Sequence, residues 1–190
     1  MISADYGDSS IAFRLAGISR TTNAAWYRDE SAAAELAMKR ALRQGTYRDL
    51  NVYFLAIGGG VLGYCSYPVW KPTREERVLD GCSVQGQSVP GGALENFNHG
   101  RTLTHEAGHW FGLHHTFHGG CDRGDFVSDT PAEASPAWGC PVGRDTCTGE
   151  QYLGQDPIHN FMDCECARWW RDIAGRIADD VSRYVRHMYV

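Results

Sequence analysis

The chain has 190 residues, a formal net charge of −5 and 22% charged residues, which is consistent with one compact domain that has a sizeable core. It contains neither a run of Lys and Arg that would indicate nucleic acid as a partner nor an apolar stretch of the about 18 residues that a membrane-spanning helix needs. The composition therefore favours a protein partner, and we expect no nucleic acid and no membrane.

The N-terminal part has the pattern of two strands around a helix. Residues 11–15 and 50–57 are short apolar or alternating runs, and residues 31–45 between them have the composition of a helix that ends at a glycine. A strand, helix, strand unit favours parallel pairing. We therefore predict a twisted sheet backed by a helix. The glycine-rich residues 58–63 lead into no helix or Lys-Ser/Thr pair, so we do not predict a phosphate loop.

The next helix, predicted to start near Gly100, carries a pattern with a chemical meaning. The eleven residues HEAGHWFGLHH match HExxHxxGxxH, which chance would give about 10⁻⁴ times in a chain of this composition. The matching positions are His105, Glu106, His109, Gly112 and His115. One helical turn separates His105 from His109, so both imidazoles can reach one ion. Spacing selects His115, rather than His114, as the third zinc ligand.

Two other positions of the pattern have predicted roles. Glu106 is one residue round from the first ligand, which keeps its carboxylate off the metal but near an activated water, as a general base requires. Gly112 can adopt the left-handed conformation that ends a helix, so that the chain turns and His115 approaches the metal. The alternative is that the histidines form only a polar stripe on a partly buried helix. They would then lie among apolar neighbours such as Trp110 without hydrogen-bond or metal partners.

A strand predicted at residues 80–85, with a turn at 88–92, precedes this helix. Two interpretations stay open. The strand either borders the cleft and pairs with the backbone of an extended substrate, or is an ordinary sheet edge.

Seven cysteines indicate an oxidised protein, because five of them lie in a loop-rich region. Secretion is the natural inference, although the first residues, MISADYGDSSIAFRLAG, have neither the basic nor the apolar region of a signal peptide. An odd count leaves at least one cysteine without a partner in the chain. Residues 119–155 are dominated by turn formers, and disulfides would stabilise them. Asp122, Asp125 and Asp129 lack the spacing of a calcium loop, so we expect solvated acids there rather than a Ca²⁺ site.

The last segment, residues 167–190, has apolar residues at helical spacing and predicts an amphipathic C-terminal helix. Packing on the core is the favoured role for its apolar face, since a helix that lies on a membrane would carry more Lys and Arg beside that face.

The long zinc motif followed by HNFMD, which contains Met162, resembles the metzincin signature. More narrowly, the sequence is similar to the pappalysin family and to its secreted fungal extracellular metalloproteases. The segments that carry this likeness are TLTHEAGHWFGLHHTFHGGC, DTPAE, GCPVGRDTCTG, DPIHNFMD and, upstream, RTTNAAW, GTYRDLNVYFLAIGGGVLGYCSYP and SVPGG. Together they span roughly residues 5 to 163.

The resemblance implies an α+β, metzincin-like zincin fold within one catalytic domain over residues 1–190. An α/β-type upper lobe, residues 1–115, would hold a twisted mixed sheet and the active-site helix. An irregular, disulfide-tied lower lobe, residues 116–190, would hold the methionine turn and the C-terminal helix. Met162 would form an apolar floor under the three imidazoles without being a ligand.

The resemblance also implies a disulfide pattern. Cys121 would pair with Cys147, and Cys140 with a cysteine just beyond the methionine turn, for which Cys166 is our choice although Cys164 competes. Cys65 and Cys82 then remain as a further pair.

The family tyrosine thought to assist the tetrahedral intermediate is replaced here by Cys164, and the tail that follows departs from the family pattern. We therefore carry two functions forward. The first is a secreted, monomeric zinc endopeptidase that hydrolyses polypeptides with one catalytic Zn²⁺, a metal-activated water and Glu106 as general base. The alternative is a catalytically impaired, zinc-binding pseudoprotease; a metal-dependent amidase acting on small substrates is a lesser rival.

Overall fold

The computed structural model describes residues 1–139, 141–152 and 154–163. The predicted helix at 167–190 lies outside the described residues, as do Cys140, Cys164 and Cys166. The helices and strands are, in chain order, α1 (Ile2–Asp5), α2 (Ala24–Arg28), α3 (Ala32–Leu42), β1 (Val52–Leu55), β2 (Gly63–Cys65), α4 (Arg74–Leu79), β3 (Cys82–Gln85), α5 (Arg101–Trp110) and α6 (Gly120–Arg123), with 3₁₀ turns at Gly7–Ser9 and Gly86–Ser88. In the described part of the chain, no helix is long and apolar enough to cross a membrane.

The three strands form a mixed sheet in the order β1-β3-β2. Strand β1 runs parallel to β3, and β2 runs antiparallel to it. The α+β class is confirmed, as are the helix that ends before Gly45 and the strands expected within residues 50–57 and 80–85. Ser31 begins α3 as predicted for a helix start, because its side chain accepts a hydrogen bond from the Ala34 amide.

The prediction of a strand at residues 11–15 is wrong, and the prediction of a simple strand, helix, strand unit is therefore wrong as well. The backbone of Phe13 bonds to the Ser3 hydroxyl through both its amide and its carbonyl, each at 3.0 Å, instead of to a neighbouring strand. The Phe13 ring packs edge-on against Tyr6. The alternating apolar residues of this segment pack against the core next to α1. The parallel partner of β1 is β3, which follows β2 and α4 in the chain.

The idea that the strand at residues 80–85 lies at an edge is also wrong. Strand β3 is central, and Cys82, Ser83 and Val84 are almost completely buried. The edge next to α5 is the three-residue strand β2. It escaped the sequence analysis because it begins with glycine and is too short to show an alternating pattern.

Helix α5 lies between two apolar clusters and so joins the sheet to the rest of the core. On one side, Trp110 packs with Cys82 and Val84 of β3. On the other side, the core contains buried residues from four separate segments, namely Tyr6, Ala107, Leu113 and Met162. Since both sides are packed, α5 has little freedom to shift relative to the sheet.

Asp80, at the start of β3, connects the helices around the sheet. Its carboxylate accepts hydrogen bonds from the Trp110 indole and from Arg43 of α3, both at 2.9 Å. Burial raises the pKa of Asp80, although the Arg43 charge opposes that rise. A buried carboxylate with two such donors fixes the spacing between α3, β3 and α5.

Two disulfides are present among the described residues, Cys65–Cys82 and Cys121–Cys147. The first joins directly opposed residues of β2 and β3. The second ties α6 to the loop that contains Thr146, whose carbonyl lies near Cys121. Both pairs are those that the family resemblance leads one to expect.

Replacing Cys65 and Cys82 together by alanine should lower the free energy of unfolding by about 3 kcal/mol, because the bridge closes a loop with a sequence separation of 17. Guanidinium denaturation would measure this change. Amide exchange should accelerate more in β2, which the bridge joins to β3, than in β1. As a control, the double alanine variant of Cys121 and Cys147 should show no such difference between β2 and β1; an unchanged denaturation midpoint for the first variant would contradict the prediction.

Candidate metal centre

Helix α5 carries most of the site, and α1 holds it from behind. The hydroxyl of Tyr6 donates to the carbonyl of Thr104 at 2.9 Å, and the hydroxyl of Thr104 donates to Asp5 at 2.6 Å. Tyr6 and Thr104 are almost completely buried. These bonds fix the helix in the turn that presents His105, the first residue of the motif.

The three motif histidines come together at one point. Nε2 of His115 lies 3.2 Å from Nε2 of His105 and 3.1 Å from Nε2 of His109. Ligand nitrogens about 2.0 to 2.1 Å from a tetrahedral zinc would lie roughly 3.4 Å from one another, so the spacing fits a single ion of that size. In the described part of the chain, these three residues are the one group of three or more potential ligand side chains that could hold a metal.

The opposite ring nitrogens decide the protonation of two of these imidazoles. Nδ1 of His105 faces the carbonyl of Phe161, and Nδ1 of His109 faces the carbonyl of Leu113 at 2.8 Å. A carbonyl oxygen only accepts, so each Nδ1 carries the proton and each neutral ring presents an unprotonated Nε2 to the centre. Unprotonated nitrogens this close repel one another unless a cation lies between them. The donor set therefore fits zinc.

Burial reinforces this protonation state. Burial is the largest cause, and together with the neighbouring histidines it lowers the pKa of His105 to about 3 and that of His115 to about 4. For His109, burial again lowers the pKa. All three rings are therefore held neutral, as metal ligands must be.

The turn after α5 delivers the third histidine. Gly112 has a φ of 96°, a left-handed value that glycine tolerates best. His115 reaches the centre, whereas His114 lies outside the three-histidine group. The next residue, Thr116, is anchored twice, since its hydroxyl donates to Glu133 at 2.7 Å and its amide donates to the carbonyl of Met162 at 3.2 Å.

Glu133 belongs to a buried charged network that the sequence analysis passed over. Its carboxylate also accepts from Arg144, which in turn lies 2.8 Å from Asp156. Burial raises the pKa of Glu133 to about 7, while the Thr116 hydrogen bond and, more weakly, Arg144 oppose that rise. The DTPAE segment in which Glu133 lies was visible as a family motif, but nothing in it indicated contact with the residue that follows the third histidine.

Glu106 is buried next to the first histidine, with 5% of its surface exposed. Within the described residues, its Oε2 has no hydrogen-bond partner, and burial raises the pKa of this carboxyl to about 8. Strand β2 passes close by: a Cβ on Gly63 would lie 2.9 Å from Cγ of Glu106 and 3.0 Å from the Ser83 carbonyl oxygen. Gly63 is thus required because Glu106 and the Ser83 carbonyl approach its backbone closely. The sequence did not indicate this, since Gly63 lies in a glycine-rich segment.

Met162 packs against α5 between the two histidines of that helix. It is 4% exposed, and a Cβ on Gly108 would overlap its sulfur and lie 3.1 Å from its Cε. Gly108 falls between the two ligands of α5, where a glycine weakens the helix. The sequence analysis treated it as a variable position, but it makes room for the methionine side chain.

The acidic residues considered for calcium behave differently from one another. Asp122 is exposed, Asp129 is half-buried, and Asp125 is 5% exposed. The prediction of a solvated acid is wrong for Asp125, whose side chain accepts a hydrogen bond from the Val127 amide at 3.0 Å. Calcium binding is left untested.

Two family models match the sequence of this chain. The model described as pregnancy-associated plasma protein-A matches residues 85–173, and that described as metallo-peptidase family M12B reprolysin-like matches residues 1–116. The chain belongs to the metzincin metallopeptidases. Its α+β zincin fold agrees with this membership.

Among curated relatives, an extracellular metalloprotease of Pyricularia oryzae is 54% identical over 165 residues, which cover 86% of this chain and 56% of that protein. An extracellular metalloprotease of Podospora anserina is 55% identical over 162 residues, which cover 84% of this chain and 53% of that protein. This chain thus spans about half the length of the curated relatives that it matches.

Solved structures agree on the fold. Mature mirolysin of Tannerella forsythia, in complex with a cleaved peptide, superposes with a TM-score of 0.66 at 25% identity, covering 80% of this chain and 59% of that one. Mirolysin in complex with compound 9 gives a TM-score of 0.67 at 24% identity, covering 84% of this chain and 64% of that one. The three histidines and the metallopeptidase family together support zinc binding.

Gly108→Ala should destabilise the protein by about 1 to 3 kcal/mol, because the added methyl group must displace Met162 from under the histidines. Thermal or denaturant unfolding would measure the loss. In a double-mutant cycle with Met162→Ala, the stability loss of the double variant should be smaller than the sum of the two single losses, since the shorter side chain removes the overlap. Simple additivity would show that Gly108 is not constrained by Met162.

In the Glu106→Ala variant, which lacks the carboxyl whose own pKa a bound metal would lower, zinc affinity should change little between pH 7 and pH 5. Protons compete for an imidazole only below its pKa in the folded state, which is about 3 for His105 and about 4 for His115 instead of 6.5. Competition with a chromophoric chelator at several pH values would measure this. The urea-unfolded chain is the control, because each ordinary histidine should there lose about tenfold per pH unit below 6.5. An equally steep loss for the folded protein would contradict the prediction.

Proposed function

We propose that this chain is the catalytic part of a secreted zinc endopeptidase in which Glu106 is the general base. One observation carries the proposal. A single turn of α5 holds the buried Glu106, whose Oε2 has no hydrogen-bond partner among the described residues, and two of the three histidines that converge. An unsatisfied buried carboxylate costs stability, and a function that uses its proton affinity explains why it is kept.

His105, His109 and His115 would hold the zinc through their Nε2 atoms. When bound, zinc supplies Lewis acidity, which polarises the scissile carbonyl and lowers the pKa of the attacking water toward neutrality. The backbone carbonyls of Phe161 and Leu113 keep the first two rings in the required tautomer. The anchored Thr116 keeps the third ring in register with them.

Glu106 would move the proton. Its carboxylate accepts a proton from the water as the water oxygen attacks the peptide carbonyl, and it then gives that proton to the departing amine nitrogen. The raised pKa of Glu106 suits both halves of this exchange, and the positive charge of the metal would bring that pKa down toward the working pH. Gly63 leaves room for the carboxylate on the side of β2.

The substrate class and location of this chain are inferred from its relatives. Metallopeptidase family membership implies polypeptide substrates, and mirolysin has been captured with a cleaved peptide. The curated relatives are named extracellular metalloproteases, and the two disulfides suit an oxidising compartment. We infer that this protein is exported, acts as a monomer and cleaves proteins outside the cell.

Glu106→Ala should abolish cleavage of an unfolded protein substrate, with a loss in kcat/KM of at least about 10² to 10⁴-fold, because proton transfer to and from water is removed. Its zinc content should match that of the wild type, since the carboxylate is not a ligand. The measurement is substrate cleavage at matched zinc content, with and without a chelator.

Glu75→Ala is the matched control, since Glu75 is an exposed helical glutamate in the first turn of α4. It should cleave like the wild type. Cleavage by Glu106→Ala at the wild-type rate would remove Glu106 from the mechanism. A folded wild-type protein that binds zinc and cleaves nothing would instead favour a pseudoprotease.

A further inference from the structure

A row of aromatic rings extends outward from the metal-binding histidines on the side of the chain that follows β2. None of these rings contributes a nitrogen to the three-histidine group. We call this row the aromatic rim; its members are Tyr67, His114, His118 and Phe126.

Tyr67 connects the rim to the metal centre. Its hydroxyl oxygen lies 2.9 Å from Nδ1 of His109, and the two ring centroids are 5.3 Å apart. Because that nitrogen already donates to the Leu113 carbonyl, the tyrosine oxygen is a second acceptor of the same N–H. The other neighbour of the Tyr67 ring is His114, stacked at 5.3 Å and 28°.

The row continues through two histidines to a phenylalanine. His114 and His118 stack at 4.2 Å with an interplanar angle of 20°. Phe126 closes the row, with its ring 5.7 Å from each of the two imidazoles, edge-on to His114 and tilted to His118. Four rings are thus in sequence, and the first of them touches a metal ligand.

Phe126 is held in this position at a conformational cost. Its φ is 69°, a value that is a genuine outlier for a bulky side chain. The preceding Asp125 is buried and accepts from the amide of Val127, which fixes the turn that carries Phe126. Nevertheless 63% of Phe126 is exposed, so burial of the ring against the described residues does not explain the strained backbone.

Exposure makes the rim available to a ligand. Tyr67 is 42% exposed, and His118 is also an exposed residue. Flat rings that leave faces and edges open favour other rings and large apolar groups, which they contact through offset stacking and edge-to-face packing. A ligand on this row would lie directly beside His109, and so beside the reacting bond.

We propose that the aromatic rim is a substrate subsite, which binds an aromatic or large aliphatic side chain at one fixed position relative to the scissile peptide bond. This inference rests on the proposed peptidase function and specifies its substrate class. Continuity with the metal centre through Tyr67 is what assigns the occupant: a side chain of the peptide being cleaved, and not a separate protein partner.

The test is cleavage of a proteome-derived peptide library by the purified protein, with cut sites read by mass spectrometry. Wild type should show aromatic and large aliphatic residues enriched at a single position from the cut. Phe126→Gly should reduce this enrichment about three- to tenfold. The loss in kcat/KM should be larger for a peptide with a large apolar residue at that position than for one with alanine there, because alanine has no ring or long apolar group for the rim to bind.

The variants are chosen to separate binding from folding. Glycine suits the left-handed backbone at position 126, so Phe126→Gly removes the ring without adding strain. Phe126→Trp keeps an aromatic ring and should retain the preference. Phe54→Ala is the matched control, because Phe54 is 46% exposed and lies on β1, at the sheet edge opposite β2; it should not change the cleavage pattern.

Three results would overturn the inference: no enriched position in wild type, enrichment of Lys or Arg there instead, or an unchanged preference in Phe126→Gly. An equal loss of activity on both kinds of peptide would also overturn it, because Phe126 would then be a structural residue. If wild type and Phe54→Ala both cleave nothing, the peptidase function itself fails, which is a separate outcome, and the subsite falls with it.

Discussion

The convergence of three imidazole Nε2 atoms, with that of His115 3.2 Å from His105 and 3.1 Å from His109, is the constraint on which the other features of the site depend. Such an arrangement is unfavourable without a cation, so the surrounding chain must hold each ring firmly. It does so with backbone carbonyls behind two rings and with the anchored Thr116 beside the third. These partners come from the methionine turn, from the end of α5 and from the loop that contains Glu133.

Much of this centre could be predicted from the sequence because the relative positions of its residues depend on local backbone geometry. The spacing of His105 and His109 follows from helix geometry, and Gly112 follows from the need for a left-handed turn. The place of Met162 under the helix came from the family resemblance, not from local pattern. The sequence predicted that the three histidines converge, but it did not show which groups lie behind them.

Most of the features that were missed share a physical cause, since they depend on contact between segments distant in sequence. Gly63 and Gly108 look like ordinary glycines until Glu106 and Met162 are packed against them. The capping box of α4, formed by Thr73 and Glu76, was different, because its local signature could have been found. Likewise, alternating apolar residues at 11–15 gave a strand signal that packing against α1 overrode.

The charged network around Arg144 has a consequence for the order in which the protein assembles. Between Gly124 and Asp163, the described residues contain no helix and only one isolated bridge residue, Asn160. Instead of a backbone hydrogen-bond ladder, the guanidinium of Arg144 links the segments before and after it, because it forms ion pairs with both Glu133 and Asp156. Helices can nucleate from contacts within one turn, whereas this network forms only after loops of 11 to 17 residues have closed. The third histidine would therefore reach its final position late, and a zinc ion that arrives early would meet an incomplete site.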